Sequence, residues 1–332
     1  MKPLRVAVWG LGRHAINKIL PAVTTAGELK LYGVCSRNAT NVAMYSELWK
    51  CKGWTDAASM LRDPGVDIIY VATPIGLHAE HGKQVLDARK HLWCEKPLTC
   101  VLQDTLELLE SSRRQGLSIC EGHMYLHHPQ FQQLSEYVID GTIGPVRSIG
   151  CRFGIPKLEH TGFRSDPALG GGALFDVGCY PISAIQALFP QEKLDVSYAS
   201  ITTPNGSAID TDGHAIVTLS NGVAANLEWR TNCAYRNEID IWGEKGSVFS
   251  DKIFSKPIDH IPAFRLRDAL GVETTEYGVT GDHFLSMLQY FWGTIHDLKS
   301  AEAERDHILR RAELLDRIWS VSRSQCTGTE NQ

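Results

Sequence analysis

Residues Leu4-Arg5-Val6-Ala7-Val8 alternate as a strand does, Gly10-Leu11-Gly12-Arg13-His14-Ala15 follow, and a helical apolar pattern starts at Ile16, Ile19, Leu20 and Val23. Strand, glycine turn and helix in that order constrain the fold more than any other stretch of the chain. Gly10 permits the tight turn, Gly12 lets backbone approach a pyrophosphate, and Ala15 is small where a helix must pack on a strand. The free amides of the helix N-terminus then face the anion. A lone G-x-G-x-x-A arises often by chance, so the context decides.

The second strand, Leu29 to Val34, ends at Cys35-Ser36-Arg37, where a fold specific for NAD places an acid on the ribose 2′-hydroxyl. No acid stands there. A hydroxyl followed by a guanidinium suits a 2′-phosphate, which Arg37 can hold through two charge-assisted hydrogen bonds. NADP(H) is therefore preferred, with NAD(H) as the alternative.

The first half continues as strand Asp67 to Ala72, helix Glu80 to Ala88, strand His91 to Cys94, helix Val101 to Arg114 and strand Leu117 to Glu121. Such alternation predicts a parallel sheet with helices on both faces. Ligands in these sheets lie beyond the carboxyl ends of the strands, where Thr73-Pro74, His78 and Glu95-Lys96-Pro97 all fall. Lys96 is the chemically usable lysine of that edge.

After about residue 122 the pattern changes. Val146 to Phe153, Leu194 to Thr202, His214 to Leu219, Val223 to Arg230 and Arg236 to Trp242 read as strands, with a hairpin signal at Asn221-Gly222. This half is an antiparallel or mixed sheet. Gly170-Gly171-Gly172 leads into a helix on which Asp176 and Tyr180, four apart, share a face. By itself this pair reads equally well as a buried aromatic with a local partner. Phe284 to Leu298 and Ala301 to Ser320 read as amphipathic helices, after which the chain frays into Gly, Thr, Asn and Gln. The division is a first domain at 1–122 and a second at 123–332, which leaves room for the C-terminal helices to pack back on the first.

With Lys+Arg 33 against Asp+Glu 38, a net charge of -5 and no basic cluster, the 332 residues carry no footprint of a nucleic-acid binder. The N-terminus shows neither a signal peptide nor a membrane span, and nine cysteines without a C-x-x-C pair suit a reducing compartment, so the cytoplasm is expected. His78 with His81, and the pair His127-His128, lack a third ligand at plausible spacing; no metal is expected.

Taken in order and spacing, Gly10 to Ala15, Val71-Ala72-Thr73-Pro74 with His78, Glu95-Lys96-Pro97, and the triple-glycine helix with Asp176 and Tyr180 resemble the glucose-fructose oxidoreductase, inositol dehydrogenase and rhizopine-catabolism (Gfo/Idh/MocA) family. The resemblance covers nearly the whole chain. It implies an N-terminal Rossmann domain, doubly wound on a parallel sheet, and a C-terminal α/β domain on an open, mostly antiparallel sheet that often makes the oligomer interface, hence a homodimer or homotetramer. Many members carry His where this chain has Tyr180, and tyrosine here is similar to the branch of sugar ketoreductases and pentose and dihydrodiol dehydrogenases.

The resemblance further implies that Lys96 polarises the reacting oxygen and Tyr180 exchanges a proton with it, an adjacent ammonium being what would favour a phenolate at neutral pH. It implies a cis peptide before Pro97. Asp176, His128 and Tyr125 are expected to face substrate. Gly10, Leu11, Gly12, Arg13, His14, Ser36, Arg37, Thr73, Pro74, His78, Glu95, Lys96 and Arg164 are expected to line the cofactor, with Phe163 in place of the tryptophan some members carry. Leu126 to Gln130, Asp176 to Pro181, and Ser255-Lys256-Pro257 with Asp259-His260 and Pro262 are similar to reductases acting at carbon 3 of nucleotide-linked ketosugars. Pentose or dihydrodiol oxidation and a catalytically silent NADP(H) sensor are the competing expectations.

Overall fold

A computed structural model describes residues 2–158 and 162–327. Residues 328–332, within the stretch expected to fray, lie outside them. Two compact units form, one from Met1–His123 with Phe284–Leu309 and the other from Met124–His283 with Arg310–Gln332.

The first unit is built on a six-stranded parallel sheet. Its strands are β1 (Leu4–Trp9), β2 (Leu29–Cys35), β3 (Lys52–Trp54), β4 (Ile68–Val71), β5 (His91–Cys94) and β6 (Ile119–Glu121), in spatial order β3-β2-β1-β4-β5-β6. Helices cover both faces of a sheet of this kind, so its central strands are apolar throughout rather than alternating; Val6, Ala7, Val8 and all of β4 are buried. A π-helical turn at Ala15–Ile19 runs into α1 (Leu20–Thr25). Then come α2 (Ala39–Leu48), α3 (Ala57–Arg62), α4 (His78–Asp87) and α5 (Leu102–Gln115). The strand order reverses between β1 and β4, where open sheets of this class bind ligands.

The second unit holds an eight-stranded sheet: β7 (Val146–Gly154), β8 (Leu194–Thr202), β9 (Asp212–Leu219), β10 (Ala224–Arg230), β11 (Arg236–Gly243), β12 (Gly246–Asp251), β13 (Ala263–Asp268) and β14 (Glu273–Tyr277). The order is β14-β13-β12-β11-β7-β10-β9-β8, antiparallel except for β7 against β10. Asn221-Gly222 makes the β9–β10 hairpin, with Gly222 at φ 88°. β9 buries every second residue, so one face is covered and the other is not. The helices of this half begin with α6 (Pro129–Ile139) and α7 (Cys179–Leu188). Pro167–Leu188 is long and apolar enough to cross a membrane, yet 78% of its most apolar window is buried, as in a core helix.

The chain closes with α8 (His283–His296) and α9 (Leu298–Thr327), which start and end a few residues from where the apolar pattern places them. Phe284–Leu309 belongs to the first unit: Phe291 packs on Trp93 at 5.6 Å between ring centroids, Thr294 bonds Ser118 at 2.6 Å, and Arg305 donates to the Leu117 carbonyl.

Candidate active site

At the carboxyl edge of the parallel sheet Gly10 lies at φ 109°, and a Cβ there would meet the Ala72 carbonyl oxygen at 2.5 Å, so only glycine fits between β1 and β4. A Cβ on Gly12 would meet nothing within 4 Å. The chain itself gives no steric reason for that glycine; close approach by a ligand does. Leu11 is buried, whereas Gly12, Arg13 and His14 are exposed at the start of the helix. Beyond β2, Ser36 donates its amide to the Trp54 carbonyl and accepts the Asn38 amide on Oγ, and Arg37 is exposed.

The Lys96 loop is held from several sides. The peptide before Pro97 is cis, as the resemblance implies. On one side the Tyr70 hydroxyl donates to Glu95 Oε1 at 2.7 Å, and His14 Nε2 lies 3.0 Å from the same oxygen. Burial pushes the Glu95 carboxyl up, but His14, Tyr70 and Lys96 outweigh it and hold it at about 2. On the other side the Leu98 amide donates to the buried Glu121 carboxylate at 2.8 Å. Between them His78, fully buried, places Nδ1 3.0 Å from the Pro97 oxygen and Nε2 2.9 Å from the Thr73 oxygen.

His78, expected as a cofactor contact, bridges the Thr73-Pro74 and Lys96-Pro97 loops, and a neutral ring donates to one of its two carbonyls. The residue that the motif reading passed over is His81. It stacks on Trp9 at 4.0 Å and bonds Thr73 Oγ1 at 2.9 Å; burial above all, helped by His78 and Arg37 and opposed by Glu80, lowers its imidazole to about 4. His81 is thus neutral at pH 7.

In the second unit the glycine entry is pinned by Asp210, whose carboxylate accepts the Leu174 amide at 2.8 Å, and a Cβ on Gly172 would strike that carboxylate. Leu174–Gly178 forms a π-helical turn before α7, so Asp176 and Tyr180 do not lie on one regular α-helical face. Such bulges recur at functional sites. Asp176 accepts from Arg164 Nε at 2.6 Å, and the Arg164 guanidinium covers the Phe163 ring. Tyr180 is nearly buried. Its ring sits among Phe153, Phe254 and Tyr125 at 5.0, 5.4 and 5.8 Å, and its hydroxyl lies 3.8 Å from Met124 Sδ.

Tyr125 and His128, both expected to face substrate, are enclosed. Tyr125 is fully buried and bonds Ser183 Oγ at 2.6 Å, with burial pushing its phenol well up; it is core packing behind Tyr180. His128 is fully buried at the start of α6, its Nδ1 accepting the Gln130 amide at 2.9 Å. Neither placement was legible, because in sequence both residues are simply polar groups near a proline.

Residues 4–123 match the oxidoreductase family with an NAD-binding Rossmann fold, and residues 131–249 match the GFO/IDH/MocA C-terminal domain. The chain belongs to the Gfo/Idh/MocA family. Within this family it is 32% identical to a dTDP-3,4-didehydro-2,6-dideoxy-alpha-D-glucose 3-reductase of Saccharopolyspora spinosa, over 80% of each chain. It is 28% identical to an NADP(+) D-xylose 1-dehydrogenase of Haloferax volcanii, over 67% of each. A 3-ketoreductase from Actinomadura kijaniata, solved with NADP and TDP-benzene, superposes with a TM-score of 0.91 at 28% identity, covering 96% of this chain and 98% of its own. Forms of that enzyme with a tyrosine replaced by phenylalanine or a lysine replaced by alanine have been solved with the same ligands.

Proposed function

We propose that the protein is an NADPH-dependent reductase of a nucleotide-linked ketosugar, acting at carbon 3. The observation that carries the proposal is the Lys96 loop, fixed by Tyr70 through Glu95, by His78 at Pro97 and by Glu121 at Leu98. A lysine whose neighbours on both sides are held by three separate buried side chains is prepared for a positional task. The likeness to dTDP-sugar 3-reductases supports the substrate class.

Gly10, Gly12 and the exposed amides after them would hold the pyrophosphate of NADPH, and Ser36 with Arg37 its 2′-phosphate; when bound, the nicotinamide supplies the hydride. Lys96 polarises the substrate carbonyl and stabilises the developing alkoxide. Tyr180, which the aromatic rings fix in place, donates the proton. Asp176, locked by Arg164, orients a sugar hydroxyl.

A sensor would have no use for a proton donor and a polarising cation. The test is an assay of NADPH oxidation with a dTDP-linked 3-ketosugar, run beside NADP reduction with free pentoses and diols. Turnover of the linked sugar is expected. Turnover confined to free pentoses selects the dehydrogenase reading, and tight NADPH binding without turnover of any sugar selects the sensor.

We also propose a cytoplasmic homodimer or homotetramer assembled on the outer face of the eight-stranded sheet. That face exposes Trp242, 65% accessible, beside a depression of about 520 Å³ lined by Ser148, Arg152, His214 and Glu228. Sedimentation of a monomer at micromolar concentration would overturn the assembly.

A further inference from the structure

One carboxylate oxygen joins three parts of the parallel sheet's carboxyl edge. Glu95 Oε1 has the Tyr70 hydroxyl at 2.7 Å and His14 Nε2 at 3.0 Å. Tyr70 lies on β4, Glu95 directly follows β5, and His14 stands in the glycine turn that leaves β1. In the sheet β4 lies between β1 and β5, so the His14 ring spans from the turn, across β4, to a carboxylate one strand further on. Burial would raise the Glu95 carboxyl, but His14, Tyr70 and Lys96 hold it at about 2. An ionised carboxylate only accepts, so both neighbours donate to it and the His14 ring carries a proton on Nε2.

Both ends of this bridge are supported. The Glu95 amide donates to the Val71 carbonyl at 2.9 Å, and the Gly122 amide donates to the Cys94 carbonyl at 2.8 Å. A Cβ on Gly122 would meet the Tyr70 hydroxyl at 3.2 Å and Glu95 Cα at 3.3 Å, so the β6 side leaves Glu95 little room to shift. At the other end the His14 ring meets Phe284 edge-on, 5.3 Å between centroids. The glycine-turn pattern leaves position 14 open, and the donors it presents to a pyrophosphate are backbone amides. The imidazole is therefore not required by the anion, and the structure points it at Glu95 instead.

We propose that His14 is a positioning residue for Lys96: its ring ties the pyrophosphate-binding turn to Glu95, so the seat of the cofactor and the lysine beside Glu95 are held in one frame. This rests on the reading above in which Lys96 polarises the substrate carbonyl. Lys96 follows Glu95 directly, so a shift of Glu95 moves the ammonium relative to the cofactor. A displacement of about 1 Å at a reacting group costs up to about a hundredfold in rate.

His14→Phe and His14→Gln separate the hydrogen bond from the packing. Phenylalanine keeps a ring against Phe284 and removes the donor, whereas glutamine gives up the ring and returns an N–H at the reach of Nε2. With the best sugar substrate, His14→Phe is expected to lower kcat about tenfold to a hundredfold while NADPH affinity by calorimetry stays close to wild type, and His14→Gln should recover most of kcat. If His14→Phe does not fold, His14→Leu carries the same comparison. Wild-type kcat in the donor-free variant overturns the proposal. Weakened NADPH at unchanged kcat overturns it too, by making the imidazole a cofactor contact, and equal losses in both variants overturn it in favour of the ring itself. Crystal structures of the NADPH complexes read the same tie without turnover: the Glu95-Lys96 backbone should be displaced in His14→Phe and restored in His14→Gln. That displacement in a protein whose wild type reduces no sugar would refute the role given to Lys96 and leave the tie standing, whereas an undisplaced loop refutes the tie alone.

Discussion

Arg164 grips Asp176 with Nε 2.6 Å from Oδ2, joining the short turn at Gly162–Ser165 to the π-helical turn that precedes Tyr180. The carboxylate is 9% exposed and the guanidinium 39%, so the pair is neither a surface bridge nor a fully buried one. If the two residues act as one unit, Arg164→Met and Asp176→Asn will each lower kcat/KM, and the double variant will be no worse than the more damaging single. The expected coupling is about 0.5–3 kcal/mol. Additive losses in a double-mutant cycle would show that the two side chains work separately.

In the proposed reading, cofactor choice depends on Arg37. Wild-type protein should bind NADPH more tightly than NADH, and Arg37→Ala should remove most of that preference, a loss of about 1.5–3 kcal/mol. Equal calorimetric affinities in the unmutated protein would sink this assignment.

His78 bridges two loops at the edge of the parallel sheet. His78→Leu removes the ring that lies between the Thr73 and Pro97 carbonyls and donates to one of them, which should lower stability by about 1–3 kcal/mol. NADPH affinity and kcat should fall with it, because both loops lose their brace. An unchanged Tm with selectively weakened NADPH would instead make His78 a ligand contact.

Tyr180→Phe should leave NADPH binding intact and slow turnover by about 10²-fold or more, as loss of a general acid does. Lys96→Ala should harm turnover at least as much, since position and charge go together. Wild-type kcat in either variant, measured with the best substrate, would remove that residue from the mechanism.

Lys256, 7% exposed, gives a pH-dependent stability with a definite sign. Its folded pKa, about 7, lies below its ordinary 10.5. Below pH 7 both folded and unfolded chains carry the charge, and the folded chain bears the full penalty. Between about 7 and 10.5 the unfolded chain holds more protons, so stability from this group rises with pH. Lys256→Met should therefore raise Tm near pH 6.5, by about 2–4 °C for each kcal/mol relieved, and the gain should shrink toward pH 10. A gain that stays constant with pH would mean that the lysine titrates alike in the folded and unfolded chains, so that burial has not lowered its pKa.

Sequence periodicity was enough for five strands of the first sheet, all but the three-residue β3, and for the hairpin at Asn221-Gly222, because there the signal lies within a few residues. It missed α2, whose one buried residue is Val42, and β14, which is exposed along its whole length; without a covered face there is no alternation to read. At the site, Gly10, Lys96 and Tyr180 stand out by motif. The groups that hold them do not. Tyr70 reaches Glu95 across 25 positions and Glu121 reaches Leu98 across 23, separations that only a folded sheet can close. The π-helical turn at Leu174–Gly178 is equally silent, since no spacing in its five residues separates it from an α-helical turn.

Because Phe284–Leu309 returns to the unit begun by Met1–His123, the first unit is discontinuous, and the second is for the most part an insertion within it. On the ribosome the nucleotide-binding half therefore stays incomplete after its own six strands have emerged: Trp93 lacks Phe291, Ser118 lacks Thr294, and the Leu117 carbonyl lacks Arg305. The inserted half, nearly finished by residue 283, has the opportunity to settle first. A nascent chain halted between residues 123 and 284 would present an open β6 flank to chaperones, and the half that starts synthesis would be the one that finishes folding last.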